Sequence, residues 1–204
     1  MECNSTDSYR LARKIITLDE AVDDNYNIVI PSRNLLEFIK IIDDEVENIE
    51  LHIFNNKILI KSDNIIFQSR LISGTYPNTS NLLPEEFILN INVGVSELYS
   101  VIDRASILTI DKEKNIVTFE IDGNKLYVKS SSAEIGRVEE KMNIEKDNNE
   151  NIKISFVAKY MMDALKSFNS DSVTISFVGE VKPIILKTSE DEGLTQLVLP
   201  IRTY

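Results

Sequence analysis

Apolar positions along this chain follow two rhythms. The stretch "IVIPSRNLLEFIKII" (28–42) opens on a short apolar run, then spaces Leu35, Phe38, Ile39 and Ile42 for one face of a helix. At about 100° per residue these four form a stripe, with Arg33 and Lys40 opposite it. The stretch "ISFVAKYMMDALKSF" (154–168) repeats the pattern, with Met161, Ala164, Leu165 and Phe168 set against Lys159 and Lys166. At an offset of 126, Arg33 meets Lys159, Glu37 meets Asp163 and Lys40 meets Lys166. Each stretch predicts a short strand running into an amphipathic helix.

The second rhythm has period two. "NIELHIF" and "NKILIKS" follow the first helix, and "SVTISFV" and "KPIILKT" follow the second. Alternation of this kind predicts half-buried antiparallel strands. Each repeat then closes on a similar strand, "IIFQSRLISGTYPN" in the first and "LTQLVLPIRTY" in the second. The apolar C-terminus therefore reads as the closing strand of a domain, packed into its own sheet, plus a short tail. The second repeat has an upstream half: a helix in "VSELYSVIDRASILT" (95–109) and three strands in "NIVTFEI", "KLYVKSS" and "EIGRVEEKMNI". The first repeat keeps only the last of these, "SYRLARKIITL" (8–18). For one complete unit, roughly 40 residues would precede Met1. The expected class is α+β, with a partial domain over 1–80 and a whole one over 81–204.

Chemistry narrows the function by omission. The net charge is -11 and the hydrophobic fraction 43%, so a core is affordable while indiscriminate binding to nucleic acid or anionic membrane is disfavoured. One cysteine, Cys3, gives no intrachain disulfide and fits a reducing, cytoplasmic setting. No apolar run approaches the roughly 20 residues that span a bilayer. The single histidine, His52, alternates with Leu51 and Ile53 and so belongs to the polar face of a strand. One His and one Cys make neither a zinc set nor a nucleophile–base couple. Phosphate-cradling and nucleophile-elbow glycine motifs are missing, and no cofactor or metal is expected. A hydrolase acting through scattered carboxylates would need two of them to converge in one pocket. A generic α+β interaction module with no DNA role is the other alternative.

Four segments, in order, carry a family resemblance. "STDSYRLA" (5–12), "GTYPN" (74–78), "VIDRASIL" (101–108) and "LVLPIRTY" (197–204) resemble, in turn, the central-domain turn, the interdomain linker, the third-domain helix and the C-terminus of the bacterial DNA polymerase III beta subunit. The resemblance spans the chain and implies the DNA clamp fold, with residues 1–80 as part of the central domain and 81–204 as the C-terminal domain. It implies a non-catalytic processivity factor: a head-to-tail homodimeric ring whose inner helices face double-stranded DNA without reading its bases. Replicative polymerase, clamp loader and repair proteins would then dock through short peptides.

Residue by residue, the resemblance turns Arg33, Lys40, Arg104, Lys159 and Lys166 toward the phosphate backbone. On pattern alone they are ordinary solvent faces, since Glu37 lies between Arg33 and Lys40. Ile107 and Leu108 would meet the first domain of the other subunit; on pattern alone they could equally be core. With no first domain, this chain is expected to be unable to close the ring. For the peptide groove the resemblance implies Thr6, Tyr9, Arg10 and Leu11 from the turn, then Pro77, Asn81 and Leu82 from the linker. It adds Val157, Tyr160, Val181 and Pro183 from the third domain, and Leu197, Val198, Leu199, Pro200, Ile201 and Arg202 from the tail. Tyr9 and Asn81 stand where family members frequently carry histidine and arginine.

Overall fold

A computed structural model describes residues 1–204 apart from 19–21, 23, 24, 44, 63, 108–114, 133, 135, 203 and 204. It falls into two compact units, one made of residues 1–18 and 79–204, the other of residues 19–78. In chain order the elements are β1 (Glu2–Thr6), β2 (Arg10–Ile15), α1 (Ser32–Ile39), β3 (Glu50–Ile53), β4 (Lys57–Ser62) and β5 (Ile65–Arg70). After a 3-10 turn at Ser80–Leu82 come β6 (Leu89–Gly94), α2 (Val95–Ser106), β7 (Ile116–Asp122), β8 (Lys125–Ser132), β9 (Gly136–Asn143) and β10 (Glu145–Lys146). The chain continues with β11 (Ile152–Val157), α3 (Ala158–Leu165), β12 (Ser172–Phe177), β13 (Ile184–Lys187) and β14 (Leu194–Val198). No helix among the described residues is long and apolar enough to cross a membrane.

The larger unit holds a seven-stranded sheet, β1-β2-β14-β13-β12-β6-β10, and a four-stranded sheet, β11-β7-β8-β9. Two strand–helix units in it exchange their first strands. β6, which leads into α2, pairs antiparallel with β12, and β11, which leads into α3, pairs antiparallel with β7. Helices α2 and α3 pack together, and their stripes meet the sheets as the periodicity predicts: Leu98, Ile102, Ala105, Met161, Ala164, Leu165 and Phe168 are all buried. Phe119 and Phe156 meet edge to face across β7 and β11, with centroids 4.6 Å apart, a favoured aromatic geometry.

β14 packs beside β13 of its own repeat, as expected, but does not end the sheet, because β2 pairs on its other side. Residues 1–18 thereby share a sheet with the C-terminal strands. β1 follows no alternation in the sequence; it forms because β2 offers it a full antiparallel ladder from Glu2–Ile15 to Thr6–Leu11.

The smaller unit contains α1 and the three-stranded sheet β3-β4-β5. Its core is Phe38, Ile58 and Ile60, with Leu35, Ile42, Ile53 and Phe67 around them. His52 lies on the exposed face, as its position in the alternation predicts, and bonds Glu50 at 2.9 Å. Ile39, assigned to the apolar stripe, and Leu51, assigned to the buried strand face, are both exposed.

Candidate functional site

Three strands bring one apolar row together. Leu11 of β2 is opposite Leu197 of β14, and Leu197 is opposite Ile185 of β13. These three side chains stand on one face of the sheet and are buried, with Leu83, Phe87 and Leu199 packed around them and partly exposed. Side chains alternate across a strand, so Val198 points the other way. It is fully buried in the main core and backs the row rather than lining it. Gln196, on Val198's side, reaches Ser167 beyond α3 at 2.8 Å.

The turn between β1 and β2 borders this row. The Asp7 carboxylate accepts the backbone N–H groups of Tyr9 and Arg10 at 3.0 and 3.1 Å. Thr6 donates its hydroxyl to the Arg10 carbonyl at 2.7 Å. Ser8 occupies the left-handed region, with φ of 76°, a conformation that asparagine or glycine adopts more readily. The Arg10 guanidinium donates to Asp7 at 2.9 Å and to Asp163 of α3 at 2.6 Å. It also lies 4.7 Å from the centre of the Tyr160 ring, and Tyr160 stacks with Tyr9 at 6.1 Å. Partial burial works against the Asp7 charge, but the Tyr9 N–H and the Arg10 guanidinium outweigh it and hold this carboxyl below its usual range. Partial burial likewise opposes the Arg10 charge, and Asp163 and Asp7 overcome it. Two carboxylates thus converge on one guanidinium, a positioning use rather than an acid–base pair.

The tail beyond β14 is tied down at two points. The Leu199 N–H donates to the Tyr9 carbonyl at 2.9 Å, and the Ile201 N–H donates to the Ser155 carbonyl of β11 at 2.7 Å. Leu199, Pro200 and Ile201 are half-buried and Arg202 is exposed. Of the remaining residues assigned to the groove, Val157 is buried, Pro183 half-buried, and Thr6, Asn81, Leu82 and Val181 exposed. Pro77 is exposed and belongs to the smaller unit. Sequence reasoning missed Ile185, Leu83 and Phe87. The run "IILK" of β13 is apolar at both alternating positions, which hides the face each residue takes, and Leu83 and Phe87 sit in irregular backbone.

The helix cations are all exposed. Lys40 pairs with Glu37 at 2.9 Å, the local neutralisation that the spacing suggests. Asp163, the counterpart of Glu37, is engaged by Arg10 and also lends its charge to Lys166. Lys166 lies 5.2 Å from the Tyr99 ring centre, and the Tyr99 side chain raises its pKa. Arg104 makes two bonds to Glu140, at 2.7 and 2.8 Å, which raise its pKa and lower that of Glu140. Ile107 is 72% exposed; Leu108 lies outside the described residues. Among the described residues, no group of His, Cys, Asp and Glu is arranged to hold a metal ion.

Comparison with known proteins returns one family. The profile of the DNA polymerase III beta subunit central domain matches residues 1–78, and that of its C-terminal domain matches residues 80–202. The chain is 42% identical over 203 residues to a beta sliding clamp of Staphylococcus epidermidis, covering 99% of this chain and 53% of that protein. It is 41% identical over 202 residues to the beta sliding clamp of Staphylococcus aureus, with the same coverage. Among solved structures, the DNA polymerase sliding clamp from Bacillus subtilis superposes with a TM-score of 0.94 at 39% identity, covering 100% of this chain and 54% of that one. The chain spans about half the length of the curated relatives it matches.

Proposed function

Because the chain belongs to the DNA polymerase III beta-subunit family, we propose that it works as part of a sliding clamp, a non-catalytic processivity factor in the cytoplasm. Residues 1–80 are then a partial central domain and 81–204 the C-terminal domain. The row Leu11–Leu197–Ile185, bordered by the Tyr9–Tyr160 stack and the tethered tail, is the floor of the groove that receives partner peptides. Replicative polymerase, clamp loader and repair proteins would share it, each lending an aliphatic and an aromatic anchor.

The observation that carries this reading is the convergence of four separate segments on that row: the turn at 6–11, the stretch at 83–87, β13, and the strand and tail at 197–201. The partly exposed Leu83, Phe87 and Leu199, packed over the buried row, offer apolar surface that suits anchor-in-pocket binding. Burying a Leu and a Phe is worth about 1.5–3 kcal/mol each, and ordering an extended peptide offsets much of it. Titration of the chain with a fluorescent Gln-Leu-x-Leu-Phe peptide should give a roughly micromolar Kd. No saturable binding, or binding unchanged when the peptide's Leu and Phe become Ala, would overturn the reading.

The exposed cations on the helices support a second contact, with the phosphate backbone of duplex DNA. The net charge of -11 argues against tight binding through charge alone, since few cations are available to displace counterions. Retention would come from ring closure, with Ile107 and Leu108 at the subunit contact, and the cations would only keep the sliding surface wet and attractive. Arg33, Lys40, Lys159 and Lys166 all reversed to Glu in a ring-closed protein should shorten retention on circular DNA without loss of fold. Retention equal to that of the parent would remove the DNA role of these side chains.

A further inference from the structure

Helices α1 and α3 use one acidic position in different ways. At an offset of 126, Glu37 of α1 corresponds to Asp163 of α3. Glu37 accepts a bond from Lys40, three residues along its own helix, at 2.9 Å. Asp163 accepts one from Arg10, 153 residues away in sequence, at 2.6 Å. This ion pair joins the β1–β2 turn to α3, a link that lies outside the strand ladders.

Arg10 is placed to transmit that link. Its backbone stands opposite Val198 in the ladder. Side chains alternate along a strand, so its guanidinium leaves the sheet on the face away from Leu11 and the apolar row. There α3 grips it twice, by the Asp163 carboxylate and by the Tyr160 ring, whose centre is 4.7 Å away. Asp7 belongs to the turn itself and accepts the Tyr9 and Arg10 N–H groups, so it shapes the turn. Asp163 fixes where the shaped turn stands. The Tyr9 carbonyl in that turn accepts the Leu199 N–H at 2.9 Å, and Leu199 packs over the row. The first residue of the tail is thus placed by the turn. Ile201 is held differently, by the Ser155 carbonyl of β11.

We propose that Asp163 is a positioning residue for partner peptides: through Arg10 it holds the Tyr9 carbonyl, and with it Leu199, where they wall the row. The role rests on the groove assigned above and adds to it a residue of α3. Asp163 and Arg10 are partly open to water, at 40% and 32% side-chain exposure, so their pairing stabilises the fold only modestly. Its effect is on order. A turn and tail already held in place need not be ordered when a peptide arrives, and the difference appears in affinity.

The test is calorimetric titration of the peptide Gln-Leu-Ser-Leu-Phe into the 204-residue chain and its Asp163→Asn and Asp163→Glu variants, with hydrogen exchange on each free chain. Asparagine keeps the size of the side chain and removes its charge, and should weaken binding about fivefold, the upper range for a partly exposed ion pair. Glutamate keeps the charge on a longer stem and should bind within about twofold of the parent. In free Asp163→Asn the Leu199 amide should exchange faster while the Ile201 amide keeps its rate, and far-ultraviolet circular dichroism should be unchanged. Equal affinity of Asp163→Asn and the parent would overturn the proposal, as would Asp163→Glu binding no better than Asp163→Asn. So would Leu199 and Ile201 amides quickening together, which would mean that the whole tail had loosened. No binding by the parent chain would remove the groove itself, and this role with it.

Discussion

Removing Leu199 to Tyr204 should weaken binding of the Gln-Leu-x-Leu-Phe peptide by roughly ten- to a hundredfold while leaving the strands and both helices of the larger unit intact. The cut falls just beyond β14, whose last residue, Val198, is fully buried and keeps its ladder partners Ile184 and Arg10. Lost with the tail are the Leu199 bond to the Tyr9 carbonyl, the Ile201 bond to the Ser155 carbonyl, and the Leu199 side chain that covers the Leu11–Leu197–Ile185 row. That row then becomes an open patch instead of a walled one. A flat apolar surface still removes water from one side of a Leu or Phe anchor, but loses the surrounding contact that makes an anchor strong. Forfeiting the burial of one large aliphatic side chain costs about 1.5–3 kcal/mol, a factor of roughly ten to a hundred in Kd. From a micromolar start this places the Kd at roughly ten to a hundred micromolar, a shift that a titration resolves. Fluorescence polarisation with intact and shortened chains decides it. Equal affinities would return the tail to the status of a plain cover for its own domain.

Helices were the most legible part of the chain. The stripes Leu98–Ile102–Ala105 and Met161–Ala164–Leu165–Phe168 were readable because period and burial coincide wherever a helix has cover on its apolar side. Ile39 shows the limit of that logic: its period is right, yet it is exposed among the described residues, so an apolar position is not yet a buried one. Leu51 is likewise exposed on a strand. β1 was illegible for the opposite reason. All five of its residues are exposed or half-buried, so only the β2 partner makes it a strand.

The buried row and its borders were legible in part, through the segments that resemble the family, but their construction was not. Arg10 and Asp163 are 153 residues apart in sequence, and no local pattern links an arginine in a turn to an acid on a distant helix. The pairing of β2 with β14 is equally remote, yet it aligns Leu11 with Leu197. Val198, which shares its stretch with Leu197, faces the core instead. A period-two reading of "LTQLV" separates the two faces, but only the sheet says which one meets solvent.

Substituting Gly193 should detach the β1–β2 hairpin from the sheet more than it disturbs anything else. Gly193 precedes β14, and its carbonyl accepts the Ile15 N–H at 2.9 Å. A Cβ built on Gly193 would lie 2.3 Å from the Ile15 carbonyl oxygen and 3.4 Å from its carbon. Both are backbone atoms, so no side chain can swing aside; either β2 or the start of β14 has to move. Overpacking of this kind costs about 1–3 kcal/mol, and Gly193→Val should cost more than Gly193→Ala. The strain falls on the ladder Leu194–Lys14 through Val198–Arg10, beginning beside its first pair. Leu11 would lose its place against Leu197, and Arg10 its reach to Asp163, so the peptide surface would loosen with the hairpin. Hydrogen exchange should therefore quicken at β1 and β2 while β7, β8 and β11 in the other sheet keep their protection, and peptide affinity should fall in parallel. A uniform loss of protection across both sheets would show that the hairpin is inseparable from the rest of the unit. Unchanged β2 exchange in Gly193→Ala would show that the Ile15 contact relaxes at no cost, and would defeat the prediction.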